Sequence, residues 1–401
     1  MMNSMKKLRY ITTLGAVFVL PIYAQKYDTP TAANNVESFK KQGEYVGTAT
    51  DGTKLGAWLV ARSGSRYAVT FLPGGLLTLP NDPNGGWDEK TRYLSAGDQA
   101  ITALSSPQGY TASVTGSGEA AVMTVTGPGS KTYTLKRVER KSPTLGLQPK
   151  AEWNAETWFK EKDAASLSNW RTDGSAPKLT EEGYLNYGIL STKTHGACYL
   201  HIEVRSPYCP NTDILTQDRG NSGIYLRSIY EMQVYDSFGG GLEKNLAGAI
   251  YGVSAASVNA ALPPMKFATY DAWFTPKQGS TWPRITFYLN GVRVQNNTEI
   301  TSDNTEGGKG TNPLVDGSLF LQNHGSNVTY NNIWIVKGTN LPTWQQVLEA
   351  SGSVSIGKTE SNKLRLTRNN SQITILNMID GTPAPKQEMG KYYNILGRIK
   401  W

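Results

Sequence analysis

Seven segments between residues 198 and 336 constrain this chain most: CYLHIEVR, GIYLR, YEMQVYD, ATYDAWFTP, RITFYLNGVRVQ, SLFLQNH and VTYNNIWIV. They are short, rich in aromatic and β-branched residues, and set between turn signals. YEMQVYD alternates cleanly: Tyr230, Met232 and Val234 fall on one face, and Glu231, Gln233 and Tyr235 on the other. No long amphipathic helical period interrupts the series, so it reads as an all-β, antiparallel sandwich. Composition agrees, with 41 Gly, 10% aromatic and only 18% charged residues.

A chain of 401 residues has room for two or three domains. Residues 1–24 place Lys6, Lys7 and Arg9 ahead of an apolar run that closes on Ala24. That is the pattern of a secretory signal peptide, too short for a membrane span, and it implies a periplasmic or extracellular protein. No cysteine near the cut suggests a lipid anchor. Losing those three cations lowers the formal charge from +8 to +5 (8 − 3). The remaining basic residues form no stripe, so nucleic acid is not an expected partner.

Residues 26–150 read as an accessory β-domain, with RSGSR as a hairpin turn. RKSPTLGLQPKAEW, residues 140–153, reads as a boundary linker. Residues 152–338 form the main sandwich. Residues 339–401 read as a short helix, with Trp344, Val347 and Leu348 on one face, followed by a small β-rich module. That tail loosely resembles the C-terminal sorting modules of type IX secretion.

Cys198 and Cys209 are the only cysteines. The strand from Cys198 to Arg205 runs about 23 Å. The steps from Arg205 to Cys209 can return only about 14 Å. An intact strand therefore forbids a bridge, and two thiols are expected.

Two polar constellations stand out. Glu231, Gln233 and Asp236 are spaced E-x-Q-x-x-D, and a flat strand leaves Asp236 on the wrong face unless a residue bulges. The spacing resembles the E-x-D-x-x-E strand of family 16 glycoside hydrolases, but Gln233 replaces the middle acid. In LFLQNH, Gln322 and His324 share a strand face with Phe320. His201 shares a face with Tyr199, Glu203 and Arg205, which suits either a cleft wall or an exposed cross-strand ion pair. No H-E-x-x-H, C-x-x-C or nucleophile-elbow serine occurs.

GNSGIYLRSIYEMQVYDSFGG, GAIYGVSAASVNAALPPMKFATYDAWF, FYLNGVRVQNNTEI and GSLFLQNHGSNVTYNNIWI occur in that order. Together they resemble the 3-keto-disaccharide hydrolase domain family, over about 152–338. LPGGL with GGWDEKTR, and RKSPTLG, resemble the N-terminal domain attached to some members. The resemblance implies a concanavalin-like jelly roll and a carbohydrate substrate. It places Asn221, Arg227, Glu231, Gln233 and Asp236 on one cleft wall, with Tyr251, Gln322 and His324 nearby. It implies Glu231, Asp236, His324 and Arg227 as catalytic, and Asn221, Gln233, Tyr251 and Gln322 as substrate-binding.

The resemblance implies a secreted enzyme that cleaves 3-keto-glucosides, in which the ketone at C3 acidifies the C2 proton. A general base can then start elimination of the C1 substituent, with hydration giving net hydrolysis. A divalent cation held by His324 with Glu231 or Asp236 is compatible with polarising that ketone. The competing functions are a lectin-like carbohydrate binder and an ordinary family-16-like glycoside hydrolase.

Overall fold

The computed structural model describes residues 25–353 except residue 215, and the backbone of strands Leu364–Asn369 and Gln372–Asn377. Residues 1–24 lie outside the described residues, as does the tail beyond 353 apart from those two strands, which pair as an antiparallel hairpin. Among the described residues, no helix is long and apolar enough to cross a membrane.

The sandwich consists of two antiparallel sheets. One has six strands, in the order Val292–Glu299, Arg284–Leu289, Ala268–Thr275, Cys198–Arg205, Thr329–Lys337 and Glu156–Phe159. The other has five: Trp170–Thr172, Ile189–His195, Gly317–Leu321, Ser222–Leu226 and Tyr230–Val234. Hairpins at the sheet edges are joined through central strands far apart in sequence, Cys198–Arg205 with Thr329–Lys337 and Ile189–His195 with Gly317–Leu321, as a jelly roll requires. Period-two alternation explains the core: Leu200, Ile202, Val204, Ala272 and Phe274 meet Ile224, Met232, Val234, Leu319 and Leu321 between the sheets. Cys198 and Cys209 are buried and free, as the reach argument requires.

Residues 43–138 form a separate eight-stranded antiparallel sheet that curls until its edges approach. Tyr67 bridges to Gln99, and Tyr110 stacks on Phe71 at 5.0 Å and on Tyr93 at 5.5 Å. Its strand Lys54–Arg62 is buried on both faces, which alternation alone does not predict. Ala57, Leu59 and Ala61 fill the curled sheet's own interior. Trp58 and Val60 face outward and belong to the sandwich core instead.

Trp58 meets Phe238 at 6.2 Å and Trp87 at 5.3 Å. Gly239, at φ +69°, lies so close that a Cβ there would sit 2.5 Å from Val60 Cγ2. Trp58→Ala should therefore cost about 3–5 kcal/mol of stability. Urea unfolding would measure it, and a loss below about 1 kcal/mol would show that the shared core contributes little.

The segment 140–153 does not behave as a loose linker. Arg140 is buried and pairs with both carboxylate oxygens of Glu44, at 2.8 and 2.5 Å, and with Asp82 at 2.7 Å. Further along, the segment covers the outer face of the six-stranded sheet. Thr144 Oγ1 donates to Asp271 at 2.7 Å, Gly146 N donates to Glu203 at 2.6 Å, and Leu147 O accepts from Asn332 and Trp334.

His201 sits beneath this cover, wholly buried. Its Nδ1 lies 2.7 Å from Asp271 and its Nε2 3.5 Å from Glu203. It is neither a cleft residue nor part of an exposed ion pair, because the covering segment removes that face from solvent. The helix Trp344–Ala350, closed at its start by a Thr343–Gln346 capping box, packs on the same face through Trp344, stacked 4.0 Å from Tyr288.

Candidate active site

The site grows from one hairpin, Ser222–Leu226 and Tyr230–Val234. Its register is unbroken, with Tyr225 opposite Glu231 and Gly223 opposite Gln233. The turn holds Arg227 and Ser228 at φ 54° and 59°, compatible with the strands' right-handed twist. Opposed side chains on one sheet face touch, and the Tyr225 hydroxyl lies 2.8 Å from Glu231 Oε2. Gly223 is required here, since a Cβ would sit 2.2 Å from Glu231 Oε1.

The polar face of this strand does not look at bulk water. Glu231 is 2% exposed and Gln233 1%. Residues 249–251 lie along the free strand edge: Gln233 N donates to Ala249 O at 3.0 Å, and Tyr251 N to Glu231 O at 3.2 Å. A glycine-containing strap, residues 304–310, crosses from the other side. Glu231 N donates to Thr305 Oγ1 at 2.9 Å, and Thr305 Oγ1 donates in turn to Ile229 O at 2.8 Å.

Burial pushes the Glu231 carboxyl up to about 8; the Tyr225 hydrogen bond opposes this, and the nearby Glu306 charge adds to it. No cation is paired with it among the described residues. Tyr225 has one hydroxyl proton and two acceptors: Glu231 Oε2 at 2.8 Å and Glu306 O at 2.7 Å. It also receives a bond from Gln322 Nε2 at 2.9 Å. When Glu231 is a carboxylic acid it donates to Tyr225, which then donates to the strap carbonyl. When Glu231 is ionised, Tyr225 turns its proton to the carboxylate.

Around this carboxyl the structure gathers Gln233, Gln322, Tyr225, Tyr251 and the strap. Asn221 joins through Gln217: Asn221 Nδ2 donates to Gln217 O at 2.8 Å, and Gln233 Nε2 lies 3.3 Å from Gln217 Oε1. Asn221 Oδ1, Gln233 Oε1 and Gln322 Oε1 are all buried without a hydrogen-bond partner. Such acceptors suit the hydroxyl donors of a polyol.

Three of the expected residues are not brought in. Asp236 pairs with Arg219 Nε at 2.9 Å, both side chains fully buried. The hairpin has no bulge, so nothing turns Asp236 toward Glu231. Arg227 donates through Nη1 to Pro313 O at 2.9 Å and through its backbone N–H to His195 Nε2 at 3.1 Å, with Asp316 as the opposing charge that acts on it. Arg227 thus serves the end of the sandwich.

The third is His324, which lies exposed in a turn, because the strand that carries Phe320 ends at Leu321. The divalent cation expected from His324 with Glu231 or Asp236 finds no assembled ligand set here. Among the described residues, no three His, Cys, Asp or Glu side chains cluster to hold a metal.

Residue-by-residue reading missed Tyr225, Thr305 and Glu306. Tyr225 becomes visible once the turn is placed at the three residues 227–229, which sets Leu226 opposite Tyr230 and Tyr225 opposite Glu231. Thr305 and Glu306 stand in TSDNTEGGKGTNP, which has no strand or helix period to place them.

Residues 154–336 match the 3-keto-alpha-glucoside-1,2-lyase-like domain, and this part of the chain is a domain of that family. The domain is thus of a carbohydrate-active enzyme type. A crystal structure from Parabacteroides distasonis, provisionally described as a glycosyl hydrolase, is 29% identical to the chain. It covers 46% of this chain and 84% of its own, with a TM-score of 0.40. A second from the same organism, under the same description, is 18% identical, covers 48% of this chain and 99% of its own, and has a TM-score of 0.35. No curated protein matches the chain significantly.

Proposed function

We propose that this domain cleaves 3-keto-glucosides, with Glu231 as the base that removes the C2 proton. The observation that carries this reading is the burial of Glu231 without an ion-pair partner among the described residues. Burial pushes this carboxyl up to about 8, where proton transfer near neutral pH is efficient. Ordinary retaining hydrolysis needs a second carboxylate about 5 Å away as a matched partner. Asp236 is committed to Arg219, and Gln233 holds the position between them.

In the proposed sequence, the Glu231 carboxylate takes the C2 proton, and the C2–H electron pair moves into C2=C3 as the C3 oxygen becomes an enolate. The enolate then re-forms the ketone, the pair moves into C1=C2, and the C1–O bond breaks with its pair going to the leaving oxygen, which takes up a proton. Water adds across C1=C2, its oxygen to C1 and a proton to C2. The amides of Gln233 and Gln322 are the polar groups beside Glu231 that orient the sugar. The family's 1,2-lyase description supports this order of bond changes. We further infer export of the chain, supported by the charged, apolar and small-residue pattern of residues 1–24.

Paired incubations with 3-keto-trehalose and trehalose test the reading. Turnover of the oxidised sugar alone is the expected result. Turnover of neither favours a carbohydrate binder, and turnover of trehalose favours an ordinary glycoside hydrolase.

A further inference from the structure

A cavity of about 320 Å³ opens beside the strand that carries Glu231, lined by Lys244, Tyr251, Thr301, Ser302, Asn304 and Glu306 among others. That volume falls at the lower end of small-molecule sites, roughly 300–1,000 Å³. Two of its walls are fixed to the main chain of Glu231 itself. Tyr251 N donates to Glu231 O at 3.2 Å, and Thr305, also in the lining, accepts from Glu231 N at 2.9 Å. The cavity is therefore part of the same rigid unit as the carboxyl.

Its chemistry is specific. It offers one ammonium, one carboxylate, one amide, several hydroxyls and the half-exposed Tyr251 ring, with Val253 as its only aliphatic wall. An apolar aglycone would leave these polar groups desolvated without partners. A polyhydroxylated one would pair them while resting a ring face on Tyr251.

We propose that this cavity is the subsite for the leaving group, that it takes a polyol such as a second sugar ring, and that Glu306 and Lys244 are its specificity-determining residues. The proposal rests on the reading of Glu231 as the base. Glu306 stands exposed on the strap with its main-chain carbonyl pinned by Tyr225 at 2.7 Å, so its side chain is presented to the cavity from a fixed backbone. Lys244 faces the same cavity from the segment before Tyr251. Between them, the two charges can engage hydroxyls on both edges of one ring.

The test compares 3-keto-trehalose with methyl 3-keto-α-glucoside, which lacks a second ring, in the full chain and in the Glu306→Ala and Lys244→Ala variants. Each variant should raise KM for the disaccharide at least tenfold more than KM for the methyl glycoside. Glu306→Ala should also move the rising limb of the pH–rate profile to lower pH, because a like charge near Glu231 is gone. A purely structural residue would not give that shift. Equal effects on both substrates, or none on either, would overturn the subsite.

If the wild-type chain turns over neither compound, the Glu231 reading fails but the subsite is still decided by glucose titration. Glucose binding weakened at least tenfold by Glu306→Ala supports it, and binding that is absent or unaltered by the variant overturns it.

Discussion

Glu231→Gln should lower turnover of a 3-keto-glucoside by about 10² or more and change substrate binding little. The amide keeps the shape of the carboxyl and its contact with Tyr225, but it cannot accept a proton. The wild-type pH profile sharpens the test. Burial pushes Glu231 up to about 8, so the basic form is the minor one at neutral pH. A base must be ionised to act, so kcat/KM should rise as pH increases through about 8 and level off above it. A profile that falls through the same region would assign Glu231 as an acid instead. Near-normal turnover by Glu231→Gln would remove it from the chemistry altogether.

The second large effect is on stability, and it belongs to His201. Burial alone would lower its pKa, but the carboxylates of Asp271 and Glu203 outweigh burial and raise it from 6.5 to about 9. A group whose folded-state value is raised contributes stability fully below its unfolded value. That contribution is lost as pH rises through the folded value. Stability should therefore fall between about pH 6.5 and pH 9, by up to about 3 kcal/mol. Urea midpoints measured across that range would show it. His201→Gln should flatten the curve and lower stability at pH 6, since Asp271 and Glu203 would be left buried without their cation. An unchanged pH dependence in that variant would reject the charged histidine.

The sandwich was legible because its strands carry their own period, and the family motifs carry the Glu231 strand with them. What escaped is what crosses over those strands. Alternation gave the strand at Tyr230–Val234 one apolar and one polar face, yet the polar face is closed by residues 249–251 and by the strap, neither of which is periodic. Asp236 illustrates the opposite error. Its spacing suggested a catalytic partner, but the choice between a bulge and an ion pair depended on Arg219, earlier in the chain and in no motif. His324 was carried onto a strand face that ends before it, because only the sheet register reveals that pairing stops at Leu321. The double burial of Lys54–Arg62 was likewise invisible, since a strand cannot announce what will cover its second face.

That shared core has a consequence for the order in which the chain acquires structure. Ser38 bonds to Tyr208 across 170 residues of sequence, and Arg92 reaches Gly240 O across 148. The curled sheet can pair its own strands early, but Trp58 and Val60 stay wet until residues 238 and 239 arrive. Closing loops of this length comes before the contacts that reward it, which slows folding. The N-terminal strands should thus emerge first and lock last. Refolding should show a fast phase that forms the curled sheet and a slower one in which Trp58 fluorescence reaches its native value.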